Sequence, residues 1–302
     1  MSNNVTDNNT LFPYSNESFS FRIMWFDKEP VLMAEGVLAF ILNSTFLFVL
    51  ASNKDLVKCK RITYHVANLA LADTLVGLSL FMSLTIRWFQ LITHAAMFVS
   101  FMAVLFIAIE RIVVIKWHFT WKEILTLKRV FVVIFITWIT AVILVIIGFR
   151  HIKNILWSHT LQMIILLICG IAILIANSVI ACLLQHKTRT LAAIAGAQQT
   201  TNSSKKKALK LVIMINIIFM VTCLPYIVVY LILYICLLPS SNCNFNNVEL
   251  LFVYAWPFTY MLTNINFFIN PIIYIWRDNT YRKAFCNLFK KPTRLNGRTT
   301  PV

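Results

Sequence analysis

Long apolar runs, broken by short polar stretches, set the pattern of this chain. Seven runs can be marked, at about 31–52, 62–85, 90–115, 130–149, 161–184, 209–238 and 250–275. A helix crossing the hydrocarbon of a bilayer needs about 20 mostly apolar residues, and each run meets that length. Charge or turn signals border them: Asn53-Lys54-Asp55 after the first, Lys128-Arg129 before the fourth, Lys205-Lys206-Lys207 before the sixth. The pattern predicts an all-α membrane protein, a seven-transmembrane helix bundle. Spans two and three are the tightest fit, because only 38 positions separate Asp73, near the middle of one, from Arg111 at the end of the next. At about 1.5 Å per residue most of that length is helix, which places a short turn near Ile86–Gln90.

Composition agrees with the pattern. Apolar residues make up 59% of the chain and charged residues 13%, whereas soluble domains carry about a quarter charged residues. The net charge of +16 would suggest nucleic acid if it were spread evenly, but it is not. With the amino terminus outside, 22 of the 27 Lys and Arg fall in cytoplasmic pieces, and only Arg22, Lys28, Arg87, Arg150 and Lys153 lie outside. This is the positive-inside asymmetry of membrane proteins, and the basic charge also suits an anionic lipid leaflet. A nucleic-acid partner is not expected. The amino-terminal segment is polar and has no early apolar region, so span one is expected to serve as the insertion signal. It carries three sequons, at Asn4, Asn8 and Asn16, which fit glycosylation on the lumenal side. The expected division is a glycosylated extracellular tail at 1–30, a seven-span domain at 31–276, and a cytoplasmic segment with an eighth helix at 277–302. The expected location is the plasma membrane.

Polar side chains inside a bilayer are costly and mark candidate functional positions. Those singled out are Asn43 in span one, Asn68 and Asp73 in span two, and Ser100 and Glu110-Arg111 in span three. Trp138, Asn177 and Pro225 follow in spans four to six, and Asn264, Asn266 and Asn270-Pro271-Ile272-Ile273-Tyr274 in span seven. In order and in helix, these motifs resemble those of the rhodopsin-like (class A) G-protein-coupled receptors. Tyr281-Arg282-Lys283-Ala284-Phe285 is similar to that family's short amphipathic eighth helix. The resemblance covers about residues 31–290.

The resemblance implies a role for each match. Asp73, with Asn43, Ser100, Asn266 and Asn270, would hold an allosteric sodium ion or a water network that favours the inactive state. On physical grounds alone the same residues also fit a structural polar knot between helices. Arg111 would pair with Glu110 or be released to receive a heterotrimeric G protein, with Asn270, Pro271 and Tyr274 joining the coupling region. The simpler reading is an Arg reaching for the headgroups. Phe219, Cys223 and Pro225 would form the activation pivot, since Pro225 removes a helix hydrogen bond. The chain departs from the family pattern in several places. Ile112 replaces the usual Tyr, Lys205–Lys207 offer no acidic partner to Arg111, Cys223 stands where a Trp is usual, and span five lacks its Pro. The first two departures predict a weak inactive lock and measurable basal activity.

The ligand pocket implied by the resemblance opens between the outer halves of the helices, at Ser83, Thr93, Met97, Cys223, Tyr226, Tyr230, Trp256, Tyr260 and Asn264. For any one of these aromatics, plain helix packing is an equally good reading. Thr93 occupies the place where amine receptors keep an Asp, which argues against a biogenic amine. Span seven has no Lys, which excludes a retinal Schiff base. No cysteine is available for the usual bridge between span three and the second outer loop. Cys236 and Cys243 flank an outer loop, where they form a small bridge or remain thiols. Cys286 resembles a palmitoylation site. The missing bridge, the short second outer loop and the missing Pro together resemble the melanocortin-type branch. Two other classes are weighed. A transporter or channel is the alternative, but no inverted repeat is visible and Asp73 is the one carboxylate placed deep in the core. A membrane hydrolase needs clustered metal ligands, and the six His lie near span ends or in loops. The chain is therefore not expected to be an enzyme, and no cofactor beyond the sodium ion is expected.

Overall fold

The computed structural model describes residues 29–53, 62–83, 88–117, 119–150, 155–194, 201–236, 243, 251–277 and 279–289. Seven long helices follow the seven apolar runs: α1 (Glu29–Ser52), α2 (Ile62–Ser83), α3 (Trp88–Lys116), α4 (Leu127–Arg150), α5 (Ile155–Ile194), α6 (Thr201–Cys236) and α7 (Trp256–Arg277). The shorter α8 (Asn279–Phe289) comes after them. All described secondary structure is helical, as expected for the fold class. Helices α1 to α6 each contain a stretch long and apolar enough to cross a membrane. Helix α7 has 22 residues, enough for a crossing, but Thr259, Thr263, Asn264, Asn266 and Asn270 lower its apolar character. All five of those residues are buried, so its polar positions face protein rather than lipid.

The bundle is inside-out relative to a soluble protein. Phe48, Phe135, Ile168, Ile175, Ile217 and Val221 are all more than half exposed, while Asn43, Asp73 and Ser100 are fully buried. Only a hydrocarbon solvent makes such a surface favourable. Each helix packs on its neighbours in a closed ring, α1 on α2 through to α7 on α1, with α3 also touching α5 and α2 also touching α4 and α7. The core threads through this ring, from Phe46 on α1 through Leu69, Met97 and Phe101 to Phe219 and Phe267. Helix α8 returns to the bundle through Tyr281, which meets Phe46 and Tyr274 edge-on at centroid distances of 5.6 and 6.0 Å.

Helices α1 and α2 approach closely at their glycines. A Cβ placed on Gly77 would fall 2.5 Å from Phe40 N and 2.6 Å from Gly36 O, and one on Gly36 would fall 3.0 Å from Gly77 O. Small residues let helix backbones meet in lipid, where packing rather than the hydrophobic effect drives association.

Several expected boundaries change. Helix α5 runs to Ile194 and α6 starts at Thr201, well beyond the runs at 161–184 and 209–238. The apolar run records bilayer thickness, whereas Leu191, Ala192, Ala193 and the lysines near 205 remain good helix formers outside it. At about 1.5 Å per residue the 40 residues of α5 span twice the hydrocarbon core. Of the turn expected at Ile86–Gln90, Trp88, Phe89 and Gln90 already belong to α3, and Ile86 and Arg87 lie outside the described residues. A one-turn helix, Trp121–Ile124, occupies the α3–α4 connection, and a π-turn, Leu251–Ala255, precedes α7.

Candidate functional site

Asp73 is fully buried on α2. Ser100 Oγ on α3 donates to its Oδ1 at 2.6 Å, and Asn270 Nδ2 on α7 donates to its Oδ2 at 2.9 Å. One carboxylate thus ties three helices with two short, charge-assisted bonds. Asn43 and Asn266, expected around the same group, make no hydrogen bond to it among the described residues. Asn43 Nδ2 instead donates to the Phe267 carbonyl (2.8 Å) and to its own-helix Ala39 carbonyl (2.8 Å), which fastens α1 to α7. Its Oδ1 and the Nδ2 of Asn266 are buried without a hydrogen-bond partner among the described residues. One spare acceptor and one spare donor therefore remain among these residues, a demand that buried water can satisfy. Nearby, Trp138 Nε1 on α4 donates to Asn68 Oδ1 on α2 at 2.9 Å. Asn177 Nδ2 donates along its own helix, to the Ile173 carbonyl.

At the α8 end of α3, Glu110 is buried and faces His65 Nε2 of α2 at 3.9 Å. Arg111 is half-buried and has no hydrogen bond or ion pair among the described residues, so the local Glu110–Arg111 pair is absent. Tyr274, the last residue of the Asn-Pro-Ile-Ile-Tyr box, is buried and stacks on Phe46 at 6.0 Å, close enough to Arg111 to feel its charge. Pro271 is accommodated inside α7. The side chains of Lys205–Lys207 lie outside the described residues.

Helix α6 continues through Pro225. A proline has no N–H for the carbonyl four residues back, here that of Val221. The neighbouring Thr222 carbonyl accepts Thr263 Oγ1 from α7 at 2.9 Å, a cross-helix bond at the weak point of α6. Phe219, one and a half turns below, meets Phe101 of α3 edge-on at 5.0 Å. Cys223 is buried in the same core cluster.

The chain between Leu42 and Tyr274, which contains the Asp73 layer, Arg111 and Pro225, matches the family model of the 7 transmembrane receptor (rhodopsin family). That is about three quarters of the protein. The chain belongs to the rhodopsin family of seven-transmembrane receptors. A comparison with individual curated proteins returned no match. The family match supports a receptor rather than an enzyme or a transporter, and gives no support to the melanocortin-type branch in particular.

In this rhodopsin-family receptor the expected pocket residues are only partly assembled. Thr93 is buried, with its Oγ1 3.0 Å from Ser79 Oγ and 2.9 Å from the Phe89 carbonyl. Met97 is fully buried in the core. Tyr226 lies 5.5 Å from Tyr260 and 6.4 Å from Tyr230 between ring centroids, with Trp256 beside it. The side chain of Ser83 lies outside the described residues, as do Asn4, Asn8 and Asn16. Cys236 and Cys243 are joined by a disulfide, with Cα atoms 5.4 Å apart, and Cys286 is an exposed free thiol on α8.

One residue of this region escaped the sequence reading. Glu35 sits inside α1, half-buried, and accepts a hydrogen bond from Asn264 Nδ2 at 3.0 Å. Its signal was a lone acid among Met33, Ala34, Gly36 and Val37, five residues past the start of the apolar stretch at Pro30. It precedes the family match, so no family motif points to it.

Proposed function

We propose that this rhodopsin-family receptor binds an extracellular ligand in the half of the bundle that holds Glu35, Thr93 and Trp256, and activates a heterotrimeric G protein at the opposite, Arg111 end. The charge asymmetry of the chain favours an amino terminus outside the cell and a multi-pass protein of the plasma membrane. Arg111 carries the reading. It is a half-buried cation without a described partner, beside Tyr274 and on the side of the bundle where α8 docks. A guanidinium so placed offers a fork of donors to the carboxyl end of a Gα subunit. Glu110, the residue that would hold it locally, faces His65 instead.

The Asp73 layer supplies the link between the two ends. Asp73, Ser100 and Asn43 Oδ1 provide oxygens suited to a sodium ion, which would hold α1, α2 and α3 together and favour the inactive arrangement. Reversal needs α6 to swing, and the bond from Thr263 to the Thr222 carbonyl sits where Pro225 makes that helix easiest to bend. Cys286, an exposed thiol on α8, is the proposed palmitoylation site, and the sequons at Asn4, Asn8 and Asn16 are the proposed glycosylation sites.

Expression in cells carrying G-protein dissociation reporters for each Gα class tests this reading. With Ile112 in the triplet and no acidic partner for Arg111 on α6, dissociation above that of mock-transfected cells is expected without added ligand. No receptor-dependent signal in any class, at verified surface expression, counts against it.

A further inference from the structure

An ionised carboxylate inside a transmembrane helix is costly and persists where it is paired or used. Glu35 has only one described hydrogen bond, from the neutral amide of Asn264. Asn264 is 1% exposed, and its Oδ1 has no hydrogen-bond partner among the described residues. The amide nitrogen must face the carboxylate, since an oxygen there would repel it, so Oδ1 is left as an open acceptor beside a half-open carboxylate. Among the described residues, two acceptors and no cation make an incomplete site. One turn along α7, Tyr260 is close enough to Glu35 to feel its charge. Beyond it, Tyr226, Tyr230 and Trp256 complete an aromatic wall. Carboxylate, amide oxygen and aromatic faces together are the surroundings that bind an organic cation with N–H donors.

We propose that Glu35 and Asn264 Oδ1 form the anchor for a cationic group, an ammonium or guanidinium, on the receptor's ligand. This rests on the receptor function proposed above and names the chemistry that its pocket reads. It moves the anchor away from Thr93 on α3, where a neutral hydroxyl is already engaged with Ser79 and Phe89, to the seam between α1 and α7. The cation donates to the free carboxylate oxygen and to Asn264 Oδ1, while the tyrosine faces cover its apolar portion.

The test is binding of two matched probe pairs to the purified full-length receptor, read by saturation-transfer NMR. The first pair is benzylguanidinium and neutral benzylurea. The second is acetyl-Phe-Arg-amide and its citrulline counterpart. A charge-assisted bond predicts that the cationic member binds at least about tenfold tighter. Glu35→Gln should bring that ratio to about one while leaving the neutral probes unchanged, and Glu35→Asp should restore part of it. A larger ratio for the dipeptide pair assigns the cation to a basic side chain of a peptide, and a larger ratio for the benzyl pair assigns it to a small amine or guanidine. Equal binding within both pairs, or a preference that survives Glu35→Gln, overturns the proposal. The readout needs no G protein. Selective, Glu35-dependent binding without nucleotide exchange would therefore sink the receptor reading alone, and exchange without charge selectivity would sink this one alone.

Discussion

Replacing Gly77 with Ala adds one methyl group where α1 and α2 meet closely. Its Cβ would stand 2.5 Å from Phe40 N and 2.6 Å from Gly36 O. Both atoms are backbone of α1, and no rotamer change can move them. To reach ordinary contact at about 3.4 Å, α1 and α2 must part by nearly 1 Å. Overpacking of this kind costs about 1–3 kcal/mol, offset by up to about 1 kcal/mol because Ala is the better helix former. The net loss is about 1–2 kcal/mol, or roughly 2–3 °C in melting temperature for a chain of 302 residues. Thermal melting of the purified receptor, followed by a thiol-reactive dye, provides the assay. Gly36→Ala, whose Cβ would lie 3.0 Å from Gly77 O, should fall between wild type and Gly77→Ala, whereas Gly170→Ala, with its nearest atom at 3.8 Å, should be neutral or stabilising. Equal melting of Gly77→Ala and Gly170→Ala would refute the close-packing argument.

Other perturbations probe the polar layer and the bridge. Asp73→Asn keeps the bond from Ser100 but sets an amide nitrogen against Asn270 Nδ2, or the reverse if the amide turns. A loss of about 1–3 kcal/mol is expected, and any sodium dependence of agonist binding or melting should vanish; an unchanged sodium response in the variant would remove sodium from the site. Trp138→Phe deletes the donor to Asn68 and should lower stability by about 1 kcal/mol, within the range of interhelical bonds in membranes, with an unaltered melting temperature counting against that bond. Cys236→Ser opens a bridge between residues seven apart, and the chain-entropy model limits the stability lost to about 2.5 kcal/mol. Peptide mass spectrometry without reductant should find the linked Cys236–Cys243 peptide in wild type, and finding only free thiols would remove the bridge.

The bilayer made much of this fold legible in the chain. A fixed hydrocarbon thickness imposes run lengths, so the seven long helices stand where apolar runs stand, and α7 was visible even though its asparagines dilute it. Helix ends were less visible, because α5 and α6 continue into water through residues that favour helix without being apolar. The Trp121–Ile124 turn has too few residues to show any period. In the polar core, the cost of burying Asp73 pointed to Ser100 and Asn270. Nothing in the chain showed that Asn43 would turn to the Phe267 carbonyl instead. His65 facing Glu110 joins positions far apart in sequence, and only the packing of α2 on α3 reveals it. Glu35 was passed over for a related reason: its value depends on Asn264, at the far end of the chain, closing the ring between α7 and α1.

The central claim, that the Arg111 end of this receptor drives nucleotide exchange on a G protein, is tested most directly by reconstitution. The purified receptor in lipid nanodiscs is mixed with each class of Gα together with Gβγ, and GTP uptake is measured for wild type and for Arg111→Ala. Uptake above that of empty nanodiscs with at least one Gα, lost in Arg111→Ala while its melting temperature is retained, is the expected result. No acceleration with any Gα, or equal acceleration by wild type and Arg111→Ala, would contradict it.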